Sequence, residues 1–599
     1  MSDPLISTLA DLPFHFSGRF PKPALMRHCR ADGVQAWASR ELFDQIRDIS
    51  LGLTGLGIQP GDRVAIMAES RPAWTMADLA ILTARAVSVP IYSTLPAVQV
   101  RFILADSGAR AVVVSDAAQA QKIRGVRADL PELQSLIVMD APETGPGEVS
   151  LTDVERDGHK RLMVEHGLGR VYREQTAAVR PGDVATLIYT SGTTGTPKGV
   201  MLTHGNIVSN IVDVDAVIEV NDEDEALSFL PLSHAFERLV MYLYLYKGVT
   251  VSFAESIETV SRDLTRVRPT IMTGVPRVYE KLHARVLENV AQSPAIGRVI
   301  FAWALGVGRR RARARLAGRE PSAALRLQDR LADCVVFSKI RARTGGRLRF
   351  AVSGSAPLAP AVAEFLFAIG LPVIEGYGLT EASPVLTVNP MRTPRLGTVG
   401  KALPRVELRI AEDGEIVVRG PNVMMGYYHQ PEATAEVVRD GWLYTGDIGR
   451  IDPDGYLTIT DRKKALLKTA GGKYVAPQPI EALLKRDPLV AEAMLIGERR
   501  RFVSVVLVPS FALLESRART LGVGASGRDE LVQNPSILKL FQTVVDSVNR
   551  ELAPFEQIKR FVLLPAEFSI ESGELTPTLK VKRRVVEEKW GKAIEGMYQ

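Results

Sequence analysis

Leu187-Ile-Tyr-Thr-Ser-Gly-Thr-Thr-Gly-Thr-Pro-Lys-Gly-Val-Met201 decides how the rest of the chain is read. The apolar run 184–189 predicts a buried strand that delivers the chain into a loop of hydroxyls and glycines. Thr190, Ser191, Thr193, Thr194 and Thr196 bring side-chain donors, while Gly192, Gly195 and Gly199 let the backbone approach an anion and turn sharply. Lys198 adds a mobile positive charge. Such a loop suits a polyphosphate, whose oxygens need many donors and some neutralisation. It is not the common phosphate-binding loop, which ends Gly-Lys-Ser/Thr, because here Pro197 precedes the lysine. The bland alternative is a solvated Ser/Thr/Gly linker, and the specificity of the pattern argues against it.

Upstream of this stretch, helical and strand patterns alternate. Leu42, Ile46, Ile49, Leu53 and Leu56 recur at spacings of three and four, which predicts an amphipathic helix over 39–56. A core strand is expected at 63–67, then a helix over 74–86, a strand at 87–92, a helix at 98–107 and a strand at 111–115. Such alternation implies a parallel sheet with helices on its faces. Residues 143–176 are polar and rich in Gly, Glu and Arg, and read as an irregular excursion.

Downstream, His234 sits at a strand-to-helix junction, where a structural role and a place beside a carboxylate substrate are both open. The leucine- and tyrosine-dense run 239–246 reads first as core, with an acyl tunnel as the other option. An apolar stretch at 299–305 is followed by Arg309, Arg310, Arg311, Arg313 and Arg315. Either a solvated basic helix packs through its apolar end, or the segment rests at an anionic bilayer interface. No nucleic-acid-binding module accompanies these arginines.

Two further strands, 348–353 and 372–374, run into Gly354-Ser355 and into Glu375-Gly376-Tyr377-Gly-Leu-Thr380-Glu381. The carboxyl edge of an α/β sheet is where nucleotides usually bind. Tyr377 offers a flat face to a base, and Glu381 an oxygen ligand for Mg²⁺, which takes few of its ligands from protein. From 399 to 461 short strands separated by Asp-Gly turns suggest a β-rich subdomain. Within it Asp447 follows a glycine and is suited to chelating ribose hydroxyls. The charged run 461–468, followed by Gly471 and Gly472, marks a domain junction. The rest alternates as a small α+β domain that closes on a basic loop, 574–584.

Composition sets wide bounds. The 599 residues are 46% hydrophobic and 24% charged, as in an ordinary globular protein, and the net charge of +6 is compatible with anionic substrates or an acidic membrane surface but is evidence for neither. Two cysteines exclude a disulfide framework and a four-thiolate metal site, and neither lies in a motif. The start of the chain has no basic segment leading an apolar one, and no run of eighteen apolar residues occurs. A cytoplasmic protein is expected, with peripheral contact at the inner membrane face left open.

The string 187–201, with 375–382, 442–448 and 461–468, resembles the signatures of the acyl-adenylate-forming superfamily. The segment around 290–345, closing on 334–340, resembles the insertion of its long-chain fatty acyl-CoA synthetases. The resemblance implies an α/β fold. It has a large N-terminal domain, over 1–463, of two β-sheet/helix subdomains and a β-barrel-like subdomain. A small mobile α+β domain follows over 464–599. It implies AMP-forming activation of a long-chain fatty acid by ATP, then transfer to coenzyme A, with Mg²⁺ as cofactor. Carried over residue by residue, Thr190, Ser191, Gly192, Thr193, Thr194, Gly195 and Lys198 hold the β- and γ-phosphates. Gly354, Ser355, Glu375, Gly376, Tyr377 and Thr380 surround adenine and the α-phosphate, and Glu381 takes the metal. Asp447 and Arg462 bind ribose, His234 lies beside the acyl site, Lys464 is the hinge, and Gly472 lies near the pantetheine path. Lys580 is the catalytic lysine, although Leu579 stands where the family usually has glycine, which leaves Lys582 in competition. Two other readings stay open: an enzyme that loads a carrier-protein pantetheine, and a non-catalytic protein that binds nucleotide or membrane and keeps the fold. The oligomeric state is open too, a homodimer included.

Overall fold

The computed structural model describes residues 5–140, 145, 147–191, 197–463, 466–470, 473–524, 527–569, 571–576 and 581–599. The chain divides into two compact units, 1–409 with 417–445 and 451–458, and 410–416 with 446–450 and 459–599.

Two sheets organise the first unit. An eight-stranded sheet runs in the order Gly426–Tyr427, Pro197–Thr203, Val184–Ser191, Val87–Ile91, Arg63–Met67, Ala109–Asp116, Ser135–Asp140, Glu148–Ser150. A nine-stranded sheet runs Lys401–Ala402, Val385–Val388, Val373–Gly378, Phe350–Ser353, Ile271–Gly274, Glu225–Ser228, Thr250–Phe253, Met26–Arg30, Gly33–Trp37. Their central strands are parallel. Strands such as Val87–Ile91 and Ile271–Gly274 are buried at every residue, as expected where helices cover both faces. The helices Ser39–Gly55, Pro72–Thr83 and Ala97–Ser107 lie within a few residues of the expected bounds.

The segment 143–176 departs from its expected irregularity. It carries the strand Glu148–Ser150 and the helices Leu151–Val164 and Leu168–Ala177. Ser150 caps the first helix by accepting from Asp153 N at 2.9 Å. That helix packs backbone to backbone on Ser39–Gly55. A Cβ on Gly158 would lie 1.8 Å from Asp48 O, and one on Gly52 would lie 2.0 Å from Val154 O. His159 Nδ1 meets Asp48 Oδ2 at 2.9 Å, and Arg161 Nη1 donates to Leu51 O at 2.8 Å. The polar residues that suggested a loop are thus the outer face and rim of a helix held by small residues.

The run 239–246 is core. It lies in the helix Ala235–Lys247, where Leu239 through Tyr246 are all buried. The arginine-rich segment is the helix Ala295–Leu316, packed through Phe301, Ala304, Val307, Gly308, Arg311 and Ala312. Its five arginines do not act as a set. Arg311 is buried, holds Asp329 through Nη1 at 2.9 and 3.1 Å, and donates through Nη2 to Phe367 O and Ala368 O at the end of the helix Pro360–Ala368. Arg309, Arg310, Arg313 and Arg315 are exposed. No helix among the described residues is long and apolar enough to cross a membrane.

Residues 407–462 supply a five-stranded sheet that includes the strand Trp442–Ile451. The second unit holds the three-stranded sheet Val490–Ile496, Val503–Pro509, Ile558–Leu563. The helices Pro477–Leu484 and Pro535–Asn549 pack their apolar faces on its core. The stretch read as a basic loop at 574–584 is helical at its end: Arg583–Lys589 is a helix, and Arg583 Nη1 donates to Leu495 O at 2.7 Å while its Nη2 pairs with Glu481.

Candidate active site

The expected strand of the signature stretch is one arm of a hairpin. Val184–Ser191 pairs antiparallel with Pro197–Thr203, which places Thr190 opposite Lys198 and Tyr189 opposite Gly199. A Cβ on Gly199 would press to 3.1 Å from the Tyr189 ring, so glycine lets that ring pack across the hairpin. Tyr189 OH in turn donates to Asp106 Oδ2 at 2.5 Å. Gly192, Thr193, Thr194 and Gly195 lie outside the described residues, as does the side chain of Ser191.

The second group of expected residues gathers at the carboxyl edge of the nine-stranded sheet. Phe350–Ser353 and Val373–Gly378 are parallel neighbours with Ser353 opposite Glu375, so Gly354-Ser355 and Glu375-Gly376-Tyr377 emerge side by side. Ser355 adopts φ +70°, an uncommon left-handed turn for a residue with a side chain. Gly354 lies against Phe236, whose ring a Cβ would approach to 2.7 Å. Glu375 is buried, accepts from Leu358 N at 3.2 Å through Oε2, and burial raises its pKa to about 7. Tyr377 is buried as well. Thr380 and Glu381 follow in the short 3₁₀ turn Thr380–Ala382.

A segment that no sequence motif pointed to joins these two groups. Residues 424–428 run between the hairpin and the turn: Met424 N donates to Glu381 O at 2.9 Å, Met425 N to Met201 O at 3.0 Å and Tyr428 N to Gly199 O at 2.8 Å. Tyr427 OH donates to Glu381 Oε1 at 2.9 Å, and Lys198 Nζ lies 4.9 Å from the centre of the same ring. The sequence signal for this segment is slight: a glycine before two tyrosines in a stretch read as short strands.

His234 caps the helix Ala235–Lys247, its Nδ1 accepting from Phe236 N at 3.2 Å. The structural role left open in the sequence is therefore present. Three residues on, Glu237 is fully buried, accepts from Ser228 Oγ at 2.6 Å, and burial pushes its pKa up to about 8.

In the second unit, Asp447 and Arg462 meet. Arg462 Nε donates to Asp447 Oδ1 at 3.1 Å, the aspartate buried and the guanidinium half in water. Lys463 Nζ lies between Asp413 Oδ2 at 2.5 Å and Glu415 Oε2 at 2.7 Å. Lys464, Gly472 and Lys580 lie outside the described residues.

The donor set of the first unit fits a metal that travels with phosphate. No group of three or more His, Cys, Asp or Glu side chains suited to a metal occurs among the described residues. Glu381 instead offers a single carboxylate near a lysine and a hydroxyl-rich hairpin, and Mg²⁺ bound to a nucleotide draws most of its ligands from phosphate and water.

The AMP-binding enzyme family profile matches residues 17–428, and the AMP-binding enzyme C-terminal domain profile matches 464–599. The chain is 37% identical over 561 residues to a long-chain-fatty-acid–CoA ligase of Mycobacterium bovis, covering 93% of this chain and 91% of the relative. It is 35% identical over 570 residues to a peroxisomal long chain acyl-CoA synthetase of Arabidopsis thaliana, covering 92% and 79%. Its fold is similar to that of the adenylation domain of a carboxylate reductase from Mycobacterium chelonae, with a TM-score of 0.75 at 24% identity over 100% and 92% of the two chains.

Proposed function

This chain belongs to the AMP-binding enzyme family, and we propose that it is an AMP-forming long-chain fatty acid–CoA ligase. The observation that carries this reading is the meeting of Lys198 and Glu381 on one tyrosine, at the base of a hairpin whose loop is rich in hydroxyls. A cation and an oxygen ligand at that place suit the polyphosphate of ATP, and the names of the relatives supply the fatty acid and the thiol acceptor.

In the first step a fatty carboxylate oxygen bonds to the α-phosphorus, the bond to the β-phosphate oxygen breaks, and pyrophosphate leaves. Two anions approach one another, so charge neutralisation and in-line placement carry the rate. Residues 190–198 hold the β- and γ-phosphates. Gly354, Ser355, Glu375, Gly376, Tyr377 and Thr380 enclose adenine and the α-phosphate, and Asp447 with Arg462 takes the ribose. When bound through Glu381, Mg²⁺ neutralises phosphate oxygens. Lys580 stabilises the charge that develops on the reacting phosphate. In the second step the sulfur of coenzyme A bonds to the acyl carbon, the acyl–phosphate bond breaks, and AMP leaves. Domain 464–599 turns about Lys464 between the steps, withdrawing Lys580 and opening the thiol path past Gly472, while His234 stands beside the acyl group. We assign no acceptor other than CoA, since one relative is a CoA ligase and the other an acyl-CoA synthetase by name.

The protein also visits anionic membranes in this reading. Ile296, Val299, Ile300 and Trp303 expose one apolar face of the helix Ala295–Leu316, next to exposed arginines. Fatty acids partition into such bilayers, where each basic residue contributes about 1 kcal/mol.

A substrate panel tests the function. Each buried methylene contributes about 0.8 kcal/mol, so kcat/KM rises steeply with chain length through the long-chain range. Acetate turned over as efficiently as palmitate would refute the assignment. Lys580→Ala lowers adenylation about 10²- to 10³-fold and spares thiolysis of preformed acyl-AMP. Equal loss of both steps in a folded variant would reject the role of that lysine.

A further inference from the structure

Tyr427 touches both charged groups of the proposed phosphate site. Its hydroxyl donates to Glu381 Oε1 at 2.9 Å, and Lys198 Nζ lies over its ring at 4.9 Å from the centre. The phenol itself is firmly placed. Tyr427 N donates to Thr434 Oγ1 at 2.8 Å, and that hydroxyl donates onward to Gln430 O at 2.9 Å. Tyr427 pairs across the strand edge with Val200, and only 8% of it is exposed. Gly426 before it has φ +149°, and a Cβ there would stand 2.9 Å from Thr434 Cγ2, so the backbone approaches Thr434 as closely as glycine allows.

An ammonium and a carboxylate brought to one site attract each other, and an ion pair between them would spend on itself the charge that a phosphate and a metal need. A tyrosine between them gives each another partner: the ring face for the ammonium and the hydroxyl for the carboxylate. We propose that Tyr427 is a positioning residue that keeps Lys198 directed at the polyphosphate and Glu381 directed at the divalent cation, with one residue serving both. The inference rests on the reading of this hairpin as an ATP site.

Calorimetry on the full chain with β,γ-imido-ATP, titrated over Mg²⁺ concentration and repeated in EDTA, separates the two roles. Tyr427→Phe removes the hydroxyl and keeps the ring. It is expected to raise the half-saturating Mg²⁺ about tenfold, the scale of losing a group that orients a metal ligand, and to leave metal-free binding unchanged. Tyr427→Leu removes both and is expected to weaken metal-free binding two- to fivefold as well, the scale of an exposed to partly desolvated cation–π contact. Wild-type Mg²⁺ dependence in Tyr427→Phe would overturn the role toward Glu381. Equal metal-free affinity in the Leu and Phe variants would overturn the role toward Lys198. Should Tyr427→Phe fail to fold, Thr434→Val, which removes the partner of Tyr427 N and leaves the phenol, decides: a higher Mg²⁺ requirement supports the proposal and an unchanged one overturns it. A wild-type chain that does not bind the analogue at all would instead refute the ATP reading.

Discussion

Arg238–Asp78 and Arg462–Asp447 are the same chemical pair in opposite surroundings. In the first unit, Arg238 and Asp78 side chains are 3% and 1% exposed, and neighbours complete them: Ser88 Oγ and Tyr242 OH donate to the aspartate at 2.7 and 2.5 Å, and Arg238 Nη1 donates to Thr186 Oγ1 at 2.7 Å. Thr186 lies on the strand that leads into the signature hairpin, so this pair fixes that strand against the helix Ala235–Lys247. In the second unit, Arg462 is 52% exposed while Asp447 is 7% exposed. A guanidinium half in water changes partners at little cost, whereas a buried one does not. Solvent access separates a buried scaffold pair from a half-solvated one, although residue type and partner are identical.

The contrast breaks most visibly under truncation. Asp78→Ala leaves Arg238 as an uncompensated buried charge and is expected to cost about 3–5 kcal/mol of stability, read from the urea midpoint. Asp447→Asn is expected to cost less than about 1 kcal/mol of stability, and to raise the KM for ATP about tenfold through a lost charged hydrogen bond. Equal destabilisation by the two would end the distinction.

A buried carboxyl whose partner is a hydroxyl sharpens the comparison. Burial raises the Glu237 pKa to about 8, from an ordinary 4.5. Above pH 4.5 the unfolded chain releases this proton while the folded protein keeps it, so stability is full at low pH and falls as pH rises towards 8. The loss between pH 5 and 8 is roughly 3 kcal/mol. Glu237→Gln keeps the Ser228 contact and is expected to remove that slope, as chemical denaturation across this range would reveal. An unchanged slope would place the proton elsewhere.

The smallest expected effect lies within one helix. Arg309→Gln is expected to leave the melting temperature alone and lower partitioning onto anionic vesicles about fivefold at low salt, fading as salt rises. Arg311→Gln, which loses Asp329 and the carbonyls of Phe367 and Ala368, is expected to lower the melting temperature instead. Vesicle binding insensitive to Arg309 would return this face to a plain solvated surface.

The same arginines explain what was legible in the sequence. Arg309 to Arg315 look alike as letters, and only the packing of Val307, Gly308 and Ala312 turns Arg311 inward. The strands expected at 63–67, 87–92 and 184–189 were readable because strands covered on both faces are dominated by apolar residues. The helix Leu151–Val164 was not, since its contact is made through Gly158 and Gly52, which carry no hydrophobic signal. Gly354, Ser355 and Glu375 were placed correctly at a common sheet edge, because strand ends are marked by glycine. Tyr427 was missed because its meaning comes from contact with residues 46 and 229 positions away, Glu381 and Lys198, which no local pattern encodes.

The most direct test of the account is product stoichiometry with ATP, palmitate, CoA and Mg²⁺. AMP, pyrophosphate and palmitoyl-CoA are expected in equal amounts, with pyrophosphate release dependent on palmitate and lost in Lys198→Ala. Formation of ADP and inorganic phosphate, or pyrophosphate release indifferent to the fatty acid, would contradict it.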